Sequence, residues 1–229
     1  MKIFIKVLSF LALTAGGTQH AMAVPMDFDF SGNFVNDNDI VLLDFTVGTD
    51  STITIFSSSW IDGGFDPILA IWDGSGTLVA QQDDGNSIGT ESSNGTVYDY
   101  GNWDSYFEVF LTAGDYTASI AMFNNFAVST LLADGFERDG EPNFSAAFGC
   151  SNGVFCGLGA SNRTSAWVFH LLNVDTASTQ SGASGGTVTQ GSGGAGTVPE
   201  PSTLAILGLG LAGLGMQVRR GRSRKATIK

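Results

Sequence analysis

Residues 65–85, FDPILAIWDGSGTLVAQQDDG, have the pattern of a β-hairpin, and the fold can be read outward from them. Pro67 stands at the start of the first predicted strand, where its missing N–H is least harmful, and residues 68–72 continue that strand. The segment Asp73–Gly76 is typical of a turn, and residues 77–81 are predicted to return beside the first strand. The sequence therefore predicts two neighbouring antiparallel strands at this place.

Alternation of apolar and polar residues with a period of two continues on both sides of the hairpin. Segments with this pattern are residues 40–47, 51–56, 103–111, 116–122 and 166–172. In the third of them the alternation puts Trp103 and Leu111 on one face. No segment of the body has the pattern of an amphipathic helix. Short strands separated by Gly, Asn and Asp predict an all-β fold, an antiparallel β-sandwich or jelly roll, and residues 24–176 suit a single domain of this kind.

The N-terminal residues have the three parts of a secretory leader. Two lysines precede an apolar core at residues 7–15, and Ala21-Met-Ala23 supplies the small residues of a cleavage site. We expect signal peptidase to cleave after Ala23, so that residues 1–23 are a signal peptide. The alternative is a retained helix, but the apolar core is too short to span a bilayer, and glycines interrupt its continuation.

The C-terminal residues 198–229 combine three features in order. Pro199-Glu200-Pro201 precedes the apolar segment 204–218, and a basic cluster that includes Arg219 and Arg220 follows at once. Such a pattern is typical of a helix that stops in a membrane with its basic end in the cytoplasm. Fifteen helical residues reach only about 22 Å, against roughly 30 Å of hydrocarbon, so the predicted transmembrane helix is short.

This arrangement resembles the PEP-CTERM sorting signal of exported proteins in Gram-negative bacteria. The resemblance implies that Pro199, Glu200 and Pro201 form the recognition element, with Arg219 and Arg220 completing the sorting motif. It also implies that an exosortase-type membrane enzyme removes the tail and that the body reaches the cell surface or the exopolysaccharide matrix of a biofilm. The alternative is a simple C-terminal anchor that keeps the protein in the membrane.

Charge separates the body from both ends. Between residues 24 and 198, 21 acidic residues stand against Arg138 and Arg163 alone, a net charge of −19. Such a surface repels phosphate backbones, which argues against nucleic acid binding, and it disfavours anionic lipid. The aspartates lie beside Gly and Asn, as in turns that hold a divalent cation, although an acidic coat that keeps an exported protein soluble gives the same composition.

The predicted hairpin returns Asp83 and Asp84 towards Asp66. Together with residues 103–106 (WDSY) and 113–120 (AGDYTASI), the hairpin resembles the β-sandwich of pre-peptidase C-terminal domains. Some members of that group bind calcium through such aspartates, so the resemblance implies Asp66, Asp83, Asp84 and Asp104 as calcium ligands. The alternative is that these aspartates end strands and cap turns.

Two cysteines lie close together in the second half of the body. Cys150 and Cys156 flank an Asn-Gly turn, and in an exported protein this spacing predicts a disulfide. A metal pair would need further Cys or His residues nearby, and the sequence has none.

The sequence does not support a catalytic motif. Residues 149–153, GCSNG, fit the nucleophile-elbow pattern around Ser151, but no helix pattern follows and the order of His170 and Asp175 is reversed. His170 is the only histidine between residues 24 and 198, and its strand position favours a structural role. We therefore predict no catalytic residue.

The function predicted from these features is that of a non-enzymatic surface or matrix protein. Its body would contact exopolysaccharide with the help of calcium, and Trp60, Trp72 and Trp103 could stack on sugar rings unless they pack in the core. Residues 177–197, which are uncharged and rich in Gly, Ser and Thr, are predicted to be a flexible linker. The alternative function is a secreted hydrolase with unassigned catalytic carboxylates.

Overall fold

The computed structural model describes residues 24–85, 87–180 and 188–192, and strands dominate this part of the chain. The strands are β1 (Met26–Asn33), β2 (Val41–Val47), β3 (Ser51–Ser57), β4 (Pro67–Asp73), β5 (Leu78–Asp83), β6 (Gly89–Ser93), β7 (Thr96–Tyr100), β8 (Tyr106–Leu111), β9 (Gly114–Met122), β10 (Cys156–Gly157), β11 (Ser161–Asn162), β12 (Ala166–Val174), β13 (Thr176–Thr179) and β14 (Val188–Ser192). Short 3-10 helices occupy Leu132–Asp134, Phe144–Phe148 and Leu158–Ala160.

The main strands form two five-stranded antiparallel sheets. Sheet I has the order β14-β1-β12-β3-β8, and sheet II has the order β13-β2-β9-β4-β5. Strands β6 and β7 form a separate hairpin, and β10 pairs with β11. The prediction of an all-β antiparallel fold is confirmed.

The core lies between the two sheets, because alternate side chains of both contribute to one apolar cluster. In β2 the side chains of Val41, Leu43, Phe45 and Val47 are buried there, while that of Asp44 is exposed. Strands β1, β3 and β12 supply apolar side chains from sheet I to the same cluster. The inward face predicted for residues 41–47 is therefore the face that packs.

Strand β4 is buried on both faces, which its continuous apolar run reflects. Its inward residues join the main core, while Ile68, Ala70 and Trp72 form a second cluster with Phe136 on the outer side of sheet II. Trp72 is fully buried and packs edge-on against Phe136, so it is a core residue and does not offer a face to sugars.

The strand predicted for residues 103–111 is shorter in the structure. Strand β8 begins only at Tyr106, and Trp103 lies in the preceding loop with 42% of its surface exposed. The cause is Asp104, whose carboxylate accepts a hydrogen bond from the N–H of Gly101 and so holds this loop in a turn. The shared face predicted for Trp103 and Leu111 is wrong.

The structure at the C-terminal end of the body also differs from the prediction. The sequence places the domain boundary at residue 176 and a linker at 177–197, whereas β13 and β14 add edge strands to sheets II and I. Edge strands of Thr, Ser, Val and Gly are possible because pairing there depends on backbone hydrogen bonds more than on apolar side chains. The predicted signal peptide and C-terminal helix lie outside the described residues. Within the described ranges, no helix has the length and apolar character needed to cross a bilayer.

Candidate functional site

The hairpin of β4 and β5 brings three acidic side chains together at one end. Ile68 pairs with Asp83, so Asp83 and Asp84 return beside Asp66, the residue that precedes β4. The main-chain oxygen of Asp66 accepts a 2.7 Å hydrogen bond from the N–H of Phe123, which fixes the start of β4 against the end of β9. Carboxylate oxygens of Asp66, Asp83 and Asp84 all lie within 4.8 Å of one another. We call these three residues the carboxylate cluster.

Each member of the carboxylate cluster has a carboxylate oxygen without a partner. The Oδ1 atoms of Asp66, Asp83 and Asp84 are buried and accept no hydrogen bond from the described residues. Asp66 is only 2% exposed, whereas Asp83 and Asp84 are partly buried. Buried carboxylate oxygens ordinarily find a donor or a cation, since leaving them unpaired is costly.

Burial and mutual repulsion raise the pKa values in the carboxylate cluster. Burial, reinforced by the charges of Asp84, Asp83 and Asp104, raises the pKa of Asp66 to about 8, although Arg163 opposes the shift. Burial and the charge of Asp84 raise the pKa of Asp83 to about 6. Without a cation Asp66 therefore keeps its proton near neutral pH, and a bound cation would replace that proton.

The loop around the carboxylate cluster is tightly held. The hydroxyl of Ser105 donates to the main-chain oxygens of Pro67 and Gln82, at 2.7 and 3.0 Å, and so links β4 to β5. The side-chain amide of Gln82 donates to the main-chain oxygen of Asp84, and Asp84 has a φ of 62°. The fold therefore fixes the neighbouring main-chain carbonyl groups as well as the carboxylates themselves.

Asp104 lies beside the carboxylate cluster but has a different task. Its fully buried carboxylate accepts hydrogen bonds from the N–H groups of Trp60, Ile61 and Gly101, at 2.9, 3.1 and 2.9 Å, and from the hydroxyl of Ser57 at 3.0 Å. The pKa of Asp104 is raised, because the effect of burial outweighs that of these hydrogen bonds, which lower it. The structure therefore groups three of the four predicted aspartates and uses the fourth to join two loops.

The cysteines form a separate structural unit. Cys150 and Cys156 are joined in a disulfide, with their Cα atoms 5.3 Å apart. The N–H of Cys156 donates to the hydroxyl of Ser145, which in turn bonds to the buried Asp37. This network ties the 3-10 helix at Phe144–Phe148 to the loop after β1.

His170 lies in a buried chain of polar groups that the sequence does not reveal. Its Nδ1 is 2.7 Å from Asp29 and its Nε2 is 3.3 Å from the hydroxyl of Ser58. The ring is stacked on Phe56 at 4.2 Å and packs against the tilted ring of Tyr98 at 4.1 Å between centroids, and none of it is exposed. Burial alone would raise the pKa of Asp29, but hydrogen bonds, led by that with His170, lower it. Ser58 and His170 are both buried, and these hydrogen bonds link β1 and β12 to the residue that follows β3.

Ser151 has no contact with this chain of polar groups. Its exposed hydroxyl exchanges hydrogen bonds with the side-chain amide of Asn162. The nucleophile-elbow pattern around Ser151 is therefore part of a loop between the two cysteines.

A cleft of about 570 Å³ lies elsewhere, against the outer side of sheet II. Its lining includes Asp44, Asp73, Asp115 and Thr117, and no sequence motif marks these positions. The carboxylate of Asp73 is occupied by the N–H groups of Ser75 and Thr77 within its own turn. The cleft does not include the carboxylate cluster.

Comparison with protein families identifies the C-terminal tail. Residues 197–220 match the PEP-CTERM protein-sorting motif. The chain thus carries the signal of an exported protein that an exosortase processes. No curated protein and no solved structure matches the chain.

The PEP-CTERM motif contains every residue predicted for sorting. Pro199, Glu200, Pro201, Arg219 and Arg220 all fall within the matched range. They lie outside the residues that the structure describes. The likeness of the body to pre-peptidase C-terminal domains stays a prediction.

Proposed function

We propose that this chain is an exported, non-enzymatic cell-surface or matrix protein whose β-sandwich binds calcium at Asp66, Asp83 and Asp84 and contacts exopolysaccharide. The observation that carries the proposal is the carboxylate cluster, in which carboxylate oxygens lie within 4.8 Å of one another and each residue has a buried Oδ1 without a partner. One of them belongs to Asp66, which is almost wholly buried. The PEP-CTERM motif supports the export of the body.

The chemistry of the donors favours a hard divalent cation. Calcium takes six to eight oxygen ligands, and three carboxylates with main-chain carbonyls and water can supply them. Zinc prefers nitrogen and sulfur, but His170 is bonded to Asp29 and the two cysteines are joined to each other. A divalent cation would also remove the repulsion that raises the pKa values of the cluster.

A calcium titration of the full-length chain tests the proposal. We expect millimolar calcium to raise the melting temperature of the native chain and to leave that of the Asp83→Asn/Asp84→Asn variant unchanged. The matched control is Asp99→Asn/Asp115→Asn, which removes the same charge from two exposed positions and should respond as the native chain does. Failure of calcium to shift the native melting temperature would overturn the calcium site.

The non-enzymatic part of the proposal rests on access. Asp66 is 2% exposed and His170 is fully buried, so neither side chain is accessible to a substrate. Assays with ester and glycoside substrates should show no turnover by the full-length chain. Turnover that is lost in Asp83→Asn or Asp84→Asn would instead favour the secreted hydrolase.

A further inference from the structure

Two tryptophans, of which Trp103 is exposed and Trp60 is half-buried, lie side by side in the loops that Asp104 joins. The rings of Trp60 and Trp103 have centroids 5.9 Å apart and planes inclined by 50°. Trp103 is 42% exposed, whereas Trp72 and Trp167 are buried in the two apolar clusters. An exposed indole next to a second one is available to a ligand, which a core tryptophan is not.

The loops that carry this pair are fixed by one buried carboxylate. Asp104 accepts hydrogen bonds from the N–H groups of Trp60 and Ile61, and it follows Trp103 directly in the sequence. The third hydrogen bond, from the N–H of Gly101, closes the turn that presents Trp103. The two rings are therefore held before any ligand arrives, which lowers the entropic cost of binding.

A guanidinium group completes the surface. The guanidinium carbon of Arg163 lies 3.3 Å from the centroid of the Trp60 ring, and its Nη2 donates to the main-chain oxygen of Trp60 at 2.5 Å. A methyl group on Gly157 would lie 2.5 Å from the hydroxyl of Ser161 and 3.3 Å from the Trp60 ring, so the lack of a side chain at Gly157 lets Ser161 and Trp60 approach the backbone there. The main-chain oxygen of Trp60 takes one donor of Nη2, and Nε is buried, so the donors left for a ligand belong to Nη1 and Nη2.

We propose that Trp60, Trp103 and Arg163 form a binding platform for an uncharged polysaccharide, with a pyranose ring on the exposed face of Trp103 and guanidinium donors towards its hydroxyl groups. The aromatic face packs against the C–H groups of a sugar, and arginine donates to neutral oxygens as well as to anions. This inference rests on the proposed function, since it names the site and the class of exopolysaccharide.

Charge selects against acidic glycans at this platform. Asp66 and Asp104 are close enough to Arg163 to interact with its charge, and the body between residues 24 and 198 has a net charge of −19. A polymer of uronic acid or sulfated sugar would approach this surface against repulsion. An uncharged chain pays no such penalty, and its binding should depend little on salt.

Affinity electrophoresis of the full-length chain tests the platform. Gels would contain hydroxyethyl cellulose, dextran, galactomannan or, as the acidic polymer, alginate. We expect retardation in at least one uncharged polymer, none in alginate, and a loss of about tenfold in affinity for Trp103→Ala. Trp103→Phe, which keeps an aromatic face, should bind with intermediate affinity. The control is Phe110→Ala, which removes another highly exposed aromatic side chain and should bind as the native chain does.

The outcomes separate this inference from the proposed function. Absence of retardation in all three uncharged polymers, stronger retardation in alginate, or equal binding by Trp103→Ala would each overturn the platform. The calcium-dependent rise in melting temperature, measured on the same samples, would then still stand for the calcium site. Retardation that is lost in Trp103→Ala, in a chain that does not respond to calcium, would support the platform and remove the calcium site.

Discussion

Asp66→Asn should stabilise the calcium-free protein at pH 8 and abolish its response to calcium. The pKa of Asp66 is about 8 in the fold against an ordinary value of 3.8, so the folded chain holds this proton more tightly than the unfolded chain does. The resulting stability is fully present below about pH 4 and is lost as the pH rises through 8. At about 1.4 kcal/mol for each tenfold change in acid strength, the loss by pH 8 is on the order of 5 kcal/mol. Asparagine carries no charge and avoids this loss.

Urea denaturation of the full-length chain measures the effect. In EDTA the free energy of unfolding of the native chain should fall by about 3–4 kcal/mol between pH 5 and pH 8, because part of the loss has already occurred at pH 5. Calcium at pH 8 should restore it, since the cation replaces the proton. The Asp66→Asn variant should show a much flatter pH dependence in EDTA and no change with calcium. The raised pKa of Asp83, about 6, acts in the same direction.

Two results would refute this reasoning. One is equal stability of the native chain in EDTA at pH 5 and pH 8. The other is a pH dependence that persists unchanged in Asp66→Asn, because it would then come from the general acidity of the surface. Asp99→Asn serves as the control, since it removes an exposed charge and should keep the native pH dependence.

Two further predictions concern the rest of the sandwich. Cys150→Ser/Cys156→Ser opens a small loop, so urea denaturation should show a loss of at most about 2 kcal/mol, and a loss beyond about 4 kcal/mol would mean that the bridge supports the whole domain. His170→Ala removes a fully buried ring that packs against Phe56 and Tyr98, so the free energy of unfolding should fall by about 3 kcal/mol. An unchanged stability would contradict the structural role assigned to this histidine.

Local features of the fold could be predicted because they depend on neighbours in the sequence. The hairpin at residues 65–85 needs only a turn between two apolar runs, and it alone brings Asp83 and Asp84 back to Asp66. The buried face of β2 follows from period two in the same way. The PEP-CTERM motif at residues 197–220 could be read because its parts are contiguous.

The partners of most strands could not be predicted, because alternation shows which residues share a face but not which strand lies alongside. Strands β2 and β3 are consecutive, yet the turn at Gly48–Asp50 carries the chain from sheet II to sheet I. Strands β8 and β9 are also consecutive, yet β8 lies in sheet I and β9 in sheet II. Which strands pair is decided by the packing of both sheets around one core, and this packing involves residues from the whole body.

Composition and short-range geometry fix the β-rich character of the body, its acidity and the meeting of three aspartates across one hairpin, so these features could be read from the sequence. Three others appear only in the folded chain: Asp104 holds loops together, Trp72 is buried, and Trp60 and Trp103 form a pair at the surface. These outcomes depend on which distant loops and segments pack against each residue. The hydrogen bonds from the N–H groups of Trp60 and Ile61 to Asp104 join parts of the chain 44 and 43 residues apart, and a local pattern carries no information about such an approach.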